Sequence, residues 1–205
     1  MHNNVILDLC HTKEDFDFIY ENYLNDFPYE ERKSKNKLIE MLKTGKYKLY
    51  IIKPTNNKDL ILGYIFVIDC ADLVFMDYIS IIKAYRNKGY GSKALEVLKN
   101  KYKNGCIIFE IESSNNNKNS IEYKRKCFYL RNGAKIVNVN YALPIPDEKI
   151  KFMNMNLMVL PSDNFTYNKD EFRKFIESSV LFIHSDYKHT NEVINLYINN
   201  FPESI

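Results

Sequence analysis

Cysteine is scarce in this chain of 205 residues. The four present, Cys10, Cys70, Cys106 and Cys127, are scattered and form no CxxC pair. That pattern fits reduced thiols rather than a disulfide framework or a zinc site. Histidine is as sparse: His2, His11, His184 and His189 fall near the two ends and make neither HxxH nor HExxH, so no metal is expected. Long apolar runs are missing too. Leu60 to Ile68, nine residues, is the longest, whereas a membrane-crossing helix needs about 20. Met1-His2-Asn3-Asn4 lacks the basic-then-apolar pattern of a signal peptide. The formal net charge of +3 is too small to argue for nucleic acid. The expectation left standing is a cytoplasmic protein with neither a nucleic acid nor a membrane as partner.

What the chain does have is core-forming material. Hydrophobic residues make up 45% and aromatic residues 14%, which excludes a disordered chain. The 16 tyrosines sit mostly inside apolar patterns, so they read as packing residues rather than base-stacking ones. The 25 asparagines, and 24 lysines against 5 arginines, describe AT-rich coding and carry no functional weight.

The periodicities alternate between two kinds. Val5–Leu9 reads as a strand. Thr12 then caps a helix carrying Phe16, Ile19, Tyr20 and Tyr23 at helical spacing. Pro28 interrupts that pattern, and a second helix is predicted over Asn36–Lys43, with Leu38, Ile39 and Leu42 on one face. Strands follow at 47–52, 60–68 and 74–82, close enough to form an antiparallel meander. The order then becomes strand, glycine turn, helix, strand, with Gly105 stopping the helix and Cys106–Ile111 as the strand, which suggests a crossover and locally parallel strands. Asn115–Asn117 is a loop, Asn119 a helix start and Gly133 its stop. Further strands cover 136–142 and 152–159, joined by a connection containing Pro144 and Pro146. Beyond Pro161 two helices are predicted, at about 169–182 and 191–200. Their apolar faces need a cover: the domain's own sheet, a second subunit in a homodimer, or another protein. The division expected is a domain over 1–160 and a helical extension over 161–205.

The sharpest local signal is Arg86-Asn87-Lys88-Gly89-Tyr90-Gly91-Ser92, where a buried strand runs into glycines that open a helix. Gly89 and Gly91 allow close backbone approach, and a helix start with unpaired amides binds phosphates. A P-loop is absent; the alanine variant of the dinucleotide-fold glycine motif, with Ala94 last, fits the spacing loosely but lacks an early strand-helix-strand unit and an acidic residue in the right context. Arg86-Asn87-Lys88-Gly89-Tyr90-Gly91 matches the coenzyme A signature [RQ]xxGx[GA] and resembles the GNAT superfamily of acetyl-CoA-dependent N-acetyltransferases. Phe128-Tyr129-Leu130-Arg131-Asn132-Gly133-Ala134, about 40 residues on, resembles that family's FYxxxGF segment, with Ala134 replacing the usual aromatic. The order of elements is similar from about Val5 to Leu160.

The resemblance implies an α/β fold: a mixed, mainly antiparallel sheet, with the fourth and fifth strands parallel and splayed around the pantetheine and helices on both faces. It implies direct acetyl transfer from acetyl-CoA to a primary amine, without metal or covalent intermediate. The backbone of Ile79, Ser80 and Ile81 would pair with pantetheine and polarise the thioester carbonyl. Arg86, Asn87, Lys88, Gly89, Tyr90, Gly91 and Ser92 would take the pyrophosphate. Tyr129 matches the tyrosine that protonates the leaving thiolate. An amine with a pKa near 10.4 must lose a proton at a cost of roughly 4–5 kcal/mol at neutral pH, so a carboxylate base is expected. Phe75 stands where some members carry Glu, which leaves Glu112, then Asp77, as candidates. Asp77 is expected to share a face with Phe75 and Ile79. The first helical loop, with Phe27, Tyr29, Glu30 and Glu31, is the expected acceptor contact. The acceptor reads as a small-molecule amine, with a protein N-terminus or lysine as the runner-up and a non-catalytic acyl-CoA-binding module as the alternative outside enzymes.

Overall fold

Helix starts and stops follow local chemistry closely. The computed structural model describes residues 4–113, 117–144, 152–197 and 201–205. The readings at His2, Asn115, Asn116, Pro146 and the end of the last helix (198–200) lie outside the described residues. The chain divides into two compact units, Met1–Tyr102 and Lys103–Ile205.

In the first unit the Thr12 hydroxyl accepts from the Asp15 amide at 3.0 Å and starts α1 (Lys13–Asp26), which buries Phe16, Ile19 and Tyr23. Phe27 is extended, with φ −120° and ψ 145°, as the residue before a proline must be. A single 3-10 turn, Tyr29–Glu31, leads to α2 (Lys35–Lys43), capped by Ser34. The buried residues of α2 are Leu38 and Met41, so its inward face is turned slightly from the predicted one.

Four strands form an antiparallel meander in the order β1 (Val5–Leu9), β2 (Tyr47–Pro54), β3 (Gly63–Cys70) and β4 (Leu73–Ile81). Tyr47 and Tyr50 point to opposite faces of β2. Tyr47 stacks on Phe66 at 5.6 Å. The Tyr50 hydroxyl lies 3.4 Å from that of Tyr102, just past α3 (Tyr90–Lys101). Helices thus cover both faces, and β2 and β3 are buried almost throughout. Gly63 is needed at the start of β3, because a Cβ there would lie 2.3 Å from the Ser80 carbonyl oxygen.

One irregularity breaks the meander. Phe66 pairs with Tyr78, but Val67 pairs with Met76. Asp77 is the extra residue of a β-bulge. Strict alternation predicts Asp77 on the face of Phe75 and Ile79. The bulge instead turns the neighbours Asp77 and Tyr78 to one side, where both reach the same lysine, Lys33.

In the second unit β5 (Cys106–Glu112) pairs antiparallel with β8 (Phe152–Pro161). The strand predicted over 136–142 is two pieces, β6 (Lys135–Ile136) and β7 (Tyr141–Pro144), both paired with β8. A tight turn interrupts them, with the Val139 amide on the Val137 carbonyl at 2.9 Å. Helix α4 (Ile121–Arg131) is capped by Ser120, one residue after Asn119. It stops at Gly133, whose φ of 89° is the left-handed ending expected of glycine. Gly105 has no such role: α3 ends at Tyr102, and the Gly105 carbonyl instead accepts from the Ser162 amide at 2.9 Å. The apolar faces of α5 (Lys169–Ile183) and α6 (Thr190–Tyr197) meet each other, and α6 also packs on β7. Among the described residues no helix is long and apolar enough to cross a membrane, and no His, Cys, Asp and Glu group is arranged to hold a metal.

Burial raises several tyrosine hydroxyls well above the ordinary value of 10.0, with Asp77 adding to the effect at Tyr47 and Tyr78, and Glu110 at Tyr141. The folded chain keeps these protons where the unfolded chain releases them. Stability is therefore complete below about pH 10 and falls as pH rises further. Alkaline titration followed by phenolate absorbance and circular dichroism should show these hydroxyls ionising only as the chain unfolds. Full ionisation of all tyrosines with the fold intact would contradict this.

Candidate active site

The turn after β4 is built from unusual backbone. Asn87 and Gly89 have φ of 62° and 81°, the left-handed region open to glycine and tolerated by asparagine. Gly89 caps α3 without a side-chain hydrogen bond. The first-turn amides of Tyr90, Gly91 and Ser92 have no carbonyl within the helix to bond, and the helical ladder begins with the Lys93 amide on the Gly89 carbonyl at 3.2 Å. Converging amides at the positive end of a helix dipole are the donor set a diphosphate requires.

Basic side chains around the turn are already engaged. Arg86 donates from Nε to the Ile81 carbonyl at 2.7 Å, and from a terminal nitrogen to Asp26 at 2.5 Å and to Ser80 Oγ at 3.4 Å. Asp26 also accepts from the Tyr64 hydroxyl at 2.9 Å. A carboxylate at a helix C-terminus opposes the dipole, and Arg86 offsets that. The Lys88 ammonium donates to the Ala84 carbonyl at 3.1 Å and sits over the Tyr85 ring. Lys93 pairs with Glu96 at 2.8 Å. Arg86 thus braces the turn, and the donors that the start of α3 leaves without a helical carbonyl are the amides of Tyr90, Gly91 and Ser92. Ile79, Ser80 and Ile81 are half-buried and pair with Ile65, Tyr64 and Gly63. Within its unit β4 is the last strand of the meander and is bonded along one edge.

Asp77 is tied down by two side chains. The Lys33 ammonium lies 3.1 Å from one carboxylate oxygen and 3.4 Å from the other, and the Tyr47 hydroxyl donates to the first. The side chains of Lys33 and Asp77 are only 5% and 10% exposed. The sequence offered no hint of Lys33, which ends the charged run Glu30-Glu31-Arg32-Lys33 and reads as a solvated residue. Nor did it point to Asp26 or Tyr78, whose partners stand 38 or more residues away.

The predicted acceptor loop has an inner and an outer half. Phe27 packs against Tyr23 and Tyr78, with ring centres at 5.4 and 4.8 Å. Tyr29 is 80% exposed and Glu30 is exposed. Glu31 is half-buried, and its carbonyl accepts from the Tyr78 hydroxyl at 2.5 Å.

The second unit brings two other predicted residues close together. Tyr129 on α4 is buried against Phe109 of β5, with ring centres 4.4 Å apart. Arg125, one helical turn earlier, donates to Glu112 at the end of β5. The Tyr129 hydroxyl is pushed up to about 12, mainly by burial, with Arg125 opposing and Glu112 adding to the rise. Glu110 is held separately by the Tyr141 hydroxyl. The Glu112 side chain is 25% exposed, more open than Asp77. Cys127 is half-buried on α4, and the Cys106 thiol is pushed up to about 12 by burial, which leaves it unreactive.

Comparison with known proteins converges on one family. The acetyltransferase (GNAT) family matches residues 16–128. No curated relative matches the sequence. Among solved structures, a protein from Bacteroides thetaiotaomicron described as a GNAT-family acetyltransferase superposes with a TM-score of 0.71 at 24% identity, covering 86% of this chain and 96% of its own. Spermidine N-acetyltransferase from Vibrio cholerae, in complex with CoA and spermine, gives 0.56 at 12% identity, covering 78% and 97%. The ribosomal-protein-S18-alanine N-acetyltransferase from Escherichia coli gives 0.54 at 15% identity, covering 80% and 99%. At these identities the structural likenesses speak for the fold, and the family match spans more than half of the sequence. The chain belongs to the acetyltransferase (GNAT) family of acyltransferases.

Proposed function

We propose that the chain transfers the acetyl group of acetyl-CoA directly to a primary amine, with both substrates bound at once. The observation that carries this reading is the turn Arg86–Ser92, whose left-handed Asn87 and Gly89 leave the first amides of α3 uncapped. Those amides would hold the pyrophosphate, and the backbone of Ile79, Ser80 and Ile81 would hold the pantetheine amides. When bound, acetyl-CoA supplies an activated acyl group and a thiolate leaving group.

Two proton movements fall to side chains. Glu112 is proposed as the base that takes the amine proton, because Asp77 is bound up with Lys33 and Tyr47 while Glu112 keeps more contact with solvent. Tyr129 Oη, at about 12, remains protonated at neutral pH and would deliver its proton to the departing sulfur. The acceptor is proposed to be a small-molecule amine, met by Tyr29, Glu30 and Glu31 with Phe27 behind them. The exposed Glu30 carboxylate suits a cation. A protein N-terminus is the second reading, favoured by the likeness to the ribosomal-protein enzyme. We assign the transferase to residues 1–160 and treat 161–205 as an extension of it.

Coenzyme A release, measured over a panel of amines beside thermal shift, tests the reading. Acetyl-CoA at 100 times its Kd should add about 2.7 kcal/mol of stability, and at least one amine should stimulate release. A shift without release by any amine would favour a binding module, and no shift at all would contradict the reading. Tyr129→Phe should lower kcat by about 10²–10⁴-fold with acetyl-CoA affinity nearly unchanged; an unchanged kcat would remove Tyr129 from the mechanism. Arg86→Met and Asp26→Asn should each weaken CoA binding, and the double variant should be little worse than either alone. If Arg86 met phosphate directly, Asp26→Asn would leave binding intact or improve it.

A further inference from the structure

We infer that Lys33 is a positioning residue for the acceptor. Its buried ion pair with Asp77 straps the loop Pro28–Lys33 onto the bulge of β4 and so fixes where Tyr29 and Glu30 are presented. The inference rests on the transferase reading for what the loop does, but not for the strap itself.

A chain of hydrogen bonds makes the strap. Lys33 Nζ donates to Asp77 and, at 2.8 Å, to the Tyr78 hydroxyl. That hydroxyl donates onward to the Glu31 carbonyl at 2.5 Å. The Lys33 backbone amide donates to the Tyr23 hydroxyl at 2.7 Å. One residue is therefore anchored by its main chain to α1 and by its side chain to β4. The Lys33 ammonium also lies 4.6 Å from the centre of the Tyr78 ring, a cation–π contact that is stronger when dry. Each link polarises the next.

Burying an ammonium is costly unless carboxylate and hydroxyl partners are all in place. Only the bulge puts Asp77 and Tyr78 on the same side to serve together. The loop is consequently held in one position or released. The exposed residues Tyr29 and Glu30 make no comparable anchors, so their placement is inherited from Lys33 and Glu31. A shift in the β4 backbone would move the loop with it, and a loosened loop would present its carboxylates in many positions.

Hydrogen exchange and steady-state kinetics on Lys33→Met and Tyr78→Phe test the proposal, with the panel amine that releases coenzyme A fastest as the probe. The amides of residues 31, 32 and 33 should exchange at least about tenfold faster in Lys33→Met. The KM for the amine should rise roughly tenfold in Lys33→Met, and less in Tyr78→Phe, while the KM for acetyl-CoA changes less than about twofold. Lys33→Met/Asp77→Leu, which replaces the ion pair by apolar groups, should regain thermal stability yet keep the fast exchange. That result would separate the strap from general destabilisation. Unchanged exchange at 31–33, an unchanged amine KM, or slow exchange restored in the double variant would each overturn the proposal. If the wild-type protein transfers to no amine, the transferase reading fails and the acceptor role with it, while the exchange data still judge the strap.

Discussion

A lysine ammonium taken out of water must find a carboxylate, and Lys33 finds Asp77 because β4 carries one residue more than the strand beside it. Without the bulge Asp77 would face away from Tyr78, and no single cation could bridge them. With it, the aromatic layer of Tyr23, Phe27, Phe66 and Tyr78, joined by edge-to-face and tilted contacts, closes over a polar centre whose members satisfy one another. Such networks cost stability when half-satisfied and confer a unique arrangement when complete. The last turn of α1 serves two places, the loop beside the mid-strand bulge of β4 and the turn that follows the strand. Tyr23 receives the Lys33 amide near the bulge, and Asp26 receives Arg86 at the glycine turn. The loop after α1 and the turn after β4 are thereby referred to one helix end.

The carboxylates of this protein illustrate how environment divides labour within one residue type. Asp77 is dry and committed to Lys33 and Tyr47. Asp26 is committed to Arg86 and Tyr64. Glu110 holds Tyr141. Glu112 is paired with Arg125 at a strand end and stays partly open to water, the setting in which it is proposed as the base. Tyr129 is similarly set apart from the other buried tyrosines. Tyr47, Tyr64 and Tyr141 donate to carboxylates. The Tyr129 hydroxyl has no hydrogen-bond partner among the described residues, so its proton is not already given to a neighbour.

Legibility in the sequence followed the range of the interaction. Thr12, Pro28 and Gly133 announced helix boundaries because caps and stops are local chemistry. The Gly89–Gly91 turn was legible for the same reason, together with its fixed spacing from Arg86. The bulge at Asp77 was not, since a register shift is decided between two strands and leaves no mark on either alone. Lys33 was hidden because burial of a charged residue depends on partners 44 and 45 residues away. Arg86 was recognised as part of the motif, but its pairing with Asp26, 60 residues distant, was not. The split of β6 from β7 was missed because the apolar pattern of Ile136 to Ala142 continues through the turn at Val137–Val139.

The proposed transfer depends on a phosphate-bearing coenzyme being held by backbone amides at the start of α3. Amide chemical shifts of the full chain, recorded as CoA is added, test this. Binding there predicts that the largest shifts fall on Gly89, Tyr90, Gly91 and Ser92, and that they saturate together with those of Ile79 and Ile81. Saturable binding with these amides unmoved, and the largest changes elsewhere in the chain, would contradict it.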